Sequence, residues 1–283
     1  MGKTTRRKFL KTTALGIAAA SWAAGEADLR AGVSVTEEKK QFPFSLGLAS
    51  YTFREFNLEN AISMTKRAGL KKITLKSMHL PLESSETEIT AAVVKVRKAG
   101  LDLYGCGVVY MTNKAEVEQA FNYARAGKMG IIIGVPNPEL LSLVNRTVKD
   151  YDIKLAIHNH GPDDKLYPTP GSAYEKIRNL DPRLGLCIDI GHTMRAGVDP
   201  ADAAIEFADR LLDVHMKDVT AASKEGQTIE MGRGVIDIPK FVRALIRINY
   251  HGTVAFEYEK DGQDPLPGLA ESAGYLRGIL AVI

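Results

Sequence analysis

The sequence predicts one closed (β/α)₈ barrel spanning residues 43–283. Three observations carry that reading. Short runs rich in Val, Ile and Leu alternate with amphipathic stretches at short spacing, the pattern of a parallel sheet with right-handed crossovers. Several runs end abruptly in ionisable residues, as Leu186-Cys187-Ile188-Asp189 and Leu212-Asp213-Val214-His215 do, and in a barrel the carboxyl ends of the strands carry the chemistry. No Gly-rich dinucleotide fingerprint follows the first run, which argues against an open doubly wound sheet.

Strands are expected over 44–51, 72–78, 101–111, 131–135, 153–158, 185–189, 212–215 and 253–257. Each is strand-length and rich in apolar or β-branched residues, as a strand buried on both faces must be. Helices are expected over 58–68, 87–99, 114–128, 139–150, 172–179, 200–211, 238–248 and 266–282. Gly69 and Gly100 follow the first two helices, where a C′ glycine stops a helix without strain.

The first two dozen residues differ from the rest. Thr5-Arg6-Arg7-Lys8-Phe9-Leu10-Lys11 precedes an uncharged, Ala-rich run, a basic segment followed by a short apolar one and a small-residue cleavage zone. The paired arginines point to a twin-arginine export signal over 1–24, a linker over 25–42 and a periplasmic mature protein. The run is too short and too Ala-rich for a stable membrane span. The whole chain carries a formal +3. Without Lys3, Arg6, Arg7, Lys8 and Lys11 the remainder is acidic by two charges, so no nucleic-acid partner is expected. Cys106 and Cys187, the two cysteines, fall inside expected strands and read as small core residues.

Strand parity then organises the ionisable residues. Alternate side chains of a barrel strand point inward. If His158, Asp189, His215 and Glu257 point inward, they form one layer, and His160, Lys217 and Glu259 form a second layer nearer the mouth. Two imidazoles and two carboxylates suit Mn²⁺, Co²⁺ or Zn²⁺, with Mg²⁺ as a further candidate. Of the six histidines, His79, His158, His160, His192 and His215 fall at the expected catalytic face, and only His251 lies opposite. Lys76 and Arg233, the latter inside a Gly-Arg-Gly segment, are further candidates for holding a substrate oxygen.

With these residues the chain resembles the sugar phosphate isomerase/epimerase family with a xylose isomerase-like barrel. The resemblance rests on Asp189-Ile190-Gly191-His192, Val214-His215-Met216-Lys217-Asp218, Phe256-Glu257-Tyr258-Glu259 and the Gly232 to Gly234 segment. It implies metal ligands at the ends of strands five to eight, matched directly by Asp189, His215 and Glu257. It also implies that His192 and Lys217 face substrate. The departure is at strand five, where the family has Glu and this chain has His158, with His160 as a competing ligand. That alters the two-glutamate pair that epimerases use.

The expected function is a metal-dependent sugar isomerase or epimerase working through an enediolate. Glu257 or His158 would move the proton and Lys217 would stabilise the oxyanion. The substrate is expected to be an unphosphorylated or modified sugar, because no Gly-rich phosphate cradle is evident. A lyase or hydrolase of 3-keto-glycosides and a non-catalytic sugar-binding barrel are the alternatives. A homo-oligomer is compatible with the sequence.

Overall fold

The computed structural model describes residues 42–283. The export signal expected over 1–24, and all but the last residue of the linker expected over 25–42, lie outside the described residues. The barrel strands are β1 (Ser45–Ala49), β2 (Lys72–Leu75), β3 (Asp102–Met111), β4 (Ile131–Pro136), β5 (Lys154–His158), β6 (Leu184–Asp189), β7 (Leu211–Met216) and β8 (Thr253–Phe256). All pair in parallel and close in the order β1-β8-β7-β6-β5-β4-β3-β2. β4 and β6 are buried along their whole length, because the barrel interior covers one face and helices cover the other.

The helices are α1 (Leu58–Arg67), α2 (Glu86–Lys98), α3 (Lys114–Ala126), α4 (Leu141–Tyr151), α5 (Pro170–Ile177), α6 (Ile190–Arg195), α7 (Pro200–Glu206), α8 (Ile238–Arg247) and α9 (Leu266–Val282). Their starts follow local chemistry. Asn57, Asn113 and Asp237 accept from backbone N–H groups of the first turn, and Ser85 forms a capping box with Glu88. Gly69 (φ 70°) and Gly100 (φ 81°) follow α1 and α2 in the left-handed region, as their positions predict.

The structure differs from the expected elements at the mouth. The first strand stops at Ala49 and turns into a 3₁₀ segment, Ser50–Phe53, in which Ser50, Thr52 and Phe53 are buried. The second strand ends at Leu75, three residues earlier than expected. An additional short helix, α6, begins immediately after Asp189, whose carboxylate caps it by accepting from His192 N at 2.8 Å. A two-residue hairpin, Asp218–Val219 with Thr228–Ile229, follows β7. Asp189 at α6, and Ser50 Oγ accepting from Lys76 N after β2, give the backbone local alternatives to a longer strand.

Register brings the strand ends to one level. His158 lies opposite Cys187, Asp189 opposite His215, and His215 opposite Ala255. Deeper in the barrel, Tyr104 of β3 donates to Asp213 Oδ2 of β7 at 3.2 Å. Burial pushes the Asp213 carboxyl up to about 7. Among the described residues no helix is long and apolar enough to cross a membrane.

Candidate metal centre and pocket

The residue that ends β5, the last residue of β6, the fifth residue of β7 and the residue after β8 meet at the barrel mouth. They are His158, Asp189, His215 and Glu257, and one ligand atom from each lies within 4.8 Å of all the others. His158 Nε2 is 3.1 Å from His215 Nδ1, 3.5 Å from Asp189 Oδ2 and 3.9 Å from Glu257 Oε2. His215 Nδ1 is 3.2 Å from Glu257 Oε2. The four residues are essentially excluded from solvent.

Lys217 reaches into the same cluster. Its Nζ lies 3.0 Å from both Glu257 Oε2 and Asp189 Oδ2, and it also pairs with Glu259. Gly191 makes room for this approach. A Cβ there would stand 2.8 Å from Lys217 Cδ and closer still to Cγ. The Gly of Asp189-Ile190-Gly191-His192 is therefore required by the lysine of the next strand.

Electrostatics separates the roles. Burial opposes ionisation of Glu257, yet Lys217 and His215 together hold its carboxyl well below the usual range. Asp189 behaves likewise, with Lys217 again the main counter-charge. Burial, reinforced by His160, pushes His158 well below its usual value, so its imidazole is neutral, as a metal ligand must be. His215 is buried too, but Glu257 outweighs that and raises it. Lys217 remains an ammonium because Asp189, Glu257 and Glu259 overcome its burial.

The residues fit a divalent cation. Asp189 Oδ2, buried at the centre, has no hydrogen-bond donor in alignment, although the Lys217 charge is near. With neutral imidazoles, the three carboxylates of Asp189, Glu257 and Glu259 face the ammonium of Lys217 and, farther out, that of Lys76, a net negative charge that a divalent cation offsets. Two imidazole nitrogens and two carboxylate oxygens are a donor set for Mn²⁺, Co²⁺ or Zn²⁺. Cys187 stands within the same reach of His158 and His215, but burial and the nearby carboxylates keep its thiol protonated, so the carboxylates are the better donors.

Outside the cluster opens a pocket of about 330 Å³, within the range of small-molecule sites. It is lined by Tyr51, Lys76, Val108, Tyr110, His158, His160, His192, Glu257 and Glu259. Larger clefts lie elsewhere, between α2 and α3 and at the amino ends of β1–β3, away from the ionisable cluster. Lys76 Nζ donates to the Val108 carbonyl at 2.9 Å and lies 5.5 Å from the Tyr51 ring centre. Burial lowers its pKa. His160 Nε2 is 3.1 Å from the Tyr110 hydroxyl, and its Nδ1 is 3.3 Å from Asp164 Oδ2. His160 thus lies outside the four-atom cluster, and His158 is the strand-five member.

One expectation is corrected. Arg233 does not reach the pocket; its guanidinium makes a two-point pair with Glu271 of α9, at 2.6 and 2.8 Å, on the exposed surface. Its loop is instead anchored by Asp218, which accepts from Gly232 N, Gly234 N and Ile236 N. His79 is at the predicted face but serves packing, tied to Ser50 Oγ at 2.9 Å and to the Phe53 carbonyl at 3.1 Å.

Sequence reasoning missed several residues. Asn159, on the opposite face of β5 from His158, accepts from Asp189 N at 3.1 Å and donates to Thr193 Oγ1 at 3.1 Å, fixing the turn that aims Asp189. The parity that separates it from His158 marked it as outward-facing, and its buried amide is the reason it is there. Tyr51 and Tyr110, at the ends of β1 and β3, carried the same strand-end signal as the histidines.

A family model described as a xylose isomerase-like TIM barrel matches residues 139–279. The chain is 26% identical over 164 residues to the rhizopine catabolism protein MocC of Rhizobium meliloti, covering 48% of this chain and 50% of that protein. It is 32% identical over 129 residues to an inosose dehydratase of Geobacillus kaustophilus, covering 40% of this chain and 41% of that protein. The chain spans about half the length, or less, of these curated relatives. Among solved structures it is similar to an IOLI protein with a binding zinc atom (TM-score 0.71, 15% identity, 84% of this chain and 98% of that one). It is also similar to a D-tagatose 3-epimerase-like protein (TM-score 0.69, 18% identity, 84% and 98%). At these identities the structural likeness is one of fold. The chain thus has the xylose isomerase-like TIM barrel fold, with sugar epimerase and inosose dehydratase proteins among those it is similar to.

Proposed function

We propose that the chain is a metal-dependent enzyme that removes a proton next to the carbonyl of an unphosphorylated keto-sugar or keto-cyclitol, acting as an isomerase or epimerase. The observation that carries this reading is the convergence of His158, Asp189, His215, Glu257 and Lys217 beside a pocket that Glu257 also lines. A divalent cation, when bound, would polarise the carbonyl and favour the enediolate. His158, Asp189, His215 and Glu257 would hold it. Glu257 is the base in this reading, ionised across the neutral range. A substrate oxygen that draws Lys217 away from Glu257 would raise its basicity as the carbon acid approaches. Lys217 then faces the developing oxyanion with its charge already in place. His158, neutral and buried, suits a ligand better than a second base.

One observation favours a second reading. With His158 in place of a second carboxylate, proton removal from one face followed by loss of a leaving group on the adjacent carbon needs fewer groups than two-face epimerisation. The match to an inosose dehydratase supports such an elimination, as a dehydratase or as a lyase of 3-keto-glycosides. The twin-arginine pattern supports export to the periplasm, which cell fractionation of the full-length chain would test.

The reaction test is incubation of the Mn²⁺-, Co²⁺- or Zn²⁺-supplemented protein in D₂O with D-fructose, D-tagatose, 2-keto-myo-inositol and methyl 3-keto-glucosides. Deuterium at the carbon next to the carbonyl, abolished in Glu257→Gln, supports the isomerase or epimerase. Release of water or of the aglycone moves the assignment to elimination. A sugar that binds without exchange or release would leave a sugar-binding barrel.

A further inference from the structure

We infer that Arg195 is a positioning residue that fixes the tautomer of His192, so that its Nε2–H donates to a substrate oxygen. The inference rests on the proposed function, because it names what His192 presents to the bound sugar. Arg195 follows His192 by three positions on α6, so the two side chains share a face. Arg195 Nη1 lies 3.3 Å from His192 Nδ1 in hydrogen-bonding alignment. A guanidinium has only donors, so His192 Nδ1 must be the acceptor. The ring proton is then on Nε2, and the tautomer follows from the partner.

The surroundings hold the pair. Asp189 Oδ1 accepts from His192 N, fixing the backbone that carries the ring. Gly161, at φ 85°, lets the loop after β5 close over the imidazole; a Cβ there would lie 3.4 Å from His192 Nδ1. Arg195 itself is anchored, with Nη2 donating to the Lys224 carbonyl at 2.7 Å and lying 3.7 Å from Asp163 Oδ2. Asp163 also faces Lys224 at 3.5 Å. Arg195 therefore joins the loop after β5 to the loop after β7 while it holds the imidazole.

His192 lines the pocket. With Nδ1 turned to Arg195, Nε2–H is the group left for a ligand. Such a donor suits a hydroxyl or carbonyl oxygen of a polyol.

The experiment is ¹⁵N NMR of the histidine rings in the Mg²⁺-supplemented full chain, compared with Arg195→Met and Arg195→Lys, using His192→Gln to assign the resonance. The expected result is a pure Nε2–H ring in the unsubstituted protein and a tautomer mixture in Arg195→Met. With D-fructose and 2-keto-myo-inositol as probes, Arg195→Met should lose about 10- to 100-fold in kcat/KM. His192→Gln, whose amide N–H can stand near Nε2, should keep more activity than His192→Asn, whose amide stands near Nδ1. An Nδ1–H or doubly protonated ring in the unsubstituted protein, or a tautomer indifferent to Arg195→Met, would overturn the inference. Failure of both probes to react overturns the proposed function instead, because the ring spectrum is read without turnover.

Discussion

His158 Nε2 and His215 Nδ1 stand 3.1 Å apart at the barrel mouth, a separation at which two ring nitrogens share one proton or turn toward one cation. The two histidines come from strands separated by β6, whose last residue, Asp189, supplies the carboxylate between them. A cation at this point competes with the proton that Glu257 favours on His215. Binding should therefore stabilise the fold by mass action, by about 2.7 kcal/mol at a hundredfold excess over Kd. Dialysis against chelator should lower the Tm, and Mn²⁺, Co²⁺ or Zn²⁺ should restore it. His158→Ala with His215→Ala should abolish the metal-dependent shift in a thermal melt.

Removing the Lys217 charge should separate metal-free from metal-bound stability. Lys217→Met leaves Asp189 and Glu257 buried without their ammonium, an expected loss of about 3–5 kcal/mol in chelator. A divalent cation should recover more of this loss than it adds to the unsubstituted protein. Urea titrations with and without Mn²⁺ measure both quantities, and an equal metal effect in the two proteins would contradict the shared-charge account.

Gly191→Ala tests the packing that admits Lys217. The added methyl would meet the lysine stem, and overpacking of this kind costs about 1–3 kcal/mol. Displacement of the ammonium should also reduce any proton-exchange rate by about tenfold or more. A crystal structure of the variant would show whether Lys217 has moved from Glu257.

Away from the site, Glu230 should carry part of the acid sensitivity of the fold. It is buried and accepts from Tyr258 Oη at 2.7 Å and from Lys260 Nζ at 2.9 Å. These two partners push its carboxyl down to about 2. Its folded pKa is below its unfolded pKa, so its contribution is complete above the unfolded value and fades as pH falls toward 2. In Glu230→Gln, stability should be lower at pH 7 by on the order of 2 kcal/mol. The difference from the unsubstituted protein should shrink through this acid window. Chemical denaturation at pH 7, 4 and 2.5 checks the trend.

The barrel was legible because each strand is a short apolar run between helices with their own caps and glycine stops. The inner layer was legible because a period of two, counted from ionisable strand ends, places His158, Asp189, His215 and Glu257 on one face. Arg233 was not, since a glycine-flanked arginine reads the same whether it faces a pocket or Glu271. Asn159 and Asp218 were hidden because their work is with backbone N–H groups of loops whose path no periodicity encodes. The α6 helix was masked by Asp189, which serves both as the end of a strand and as a helix cap. His79 lay at the expected face, but only its packing against Ser50 and Phe53 distinguishes a structural ring from a site ring.

The central claim is that four side chains at the ends of β5 to β8 hold one divalent cation. Anomalous diffraction from crystals of the protein grown with Mn²⁺ tests it most directly. The account predicts one strong peak within about 2.0–2.3 Å of His158 Nε2, Asp189 Oδ2, His215 Nδ1 and Glu257 Oε2, lost in Asp189→Asn. A peak that excludes His158 and recruits His160, or an empty cluster at saturating Mn²⁺ and Zn²⁺ with Lys217 still seated between Asp189 and Glu257, would contradict it.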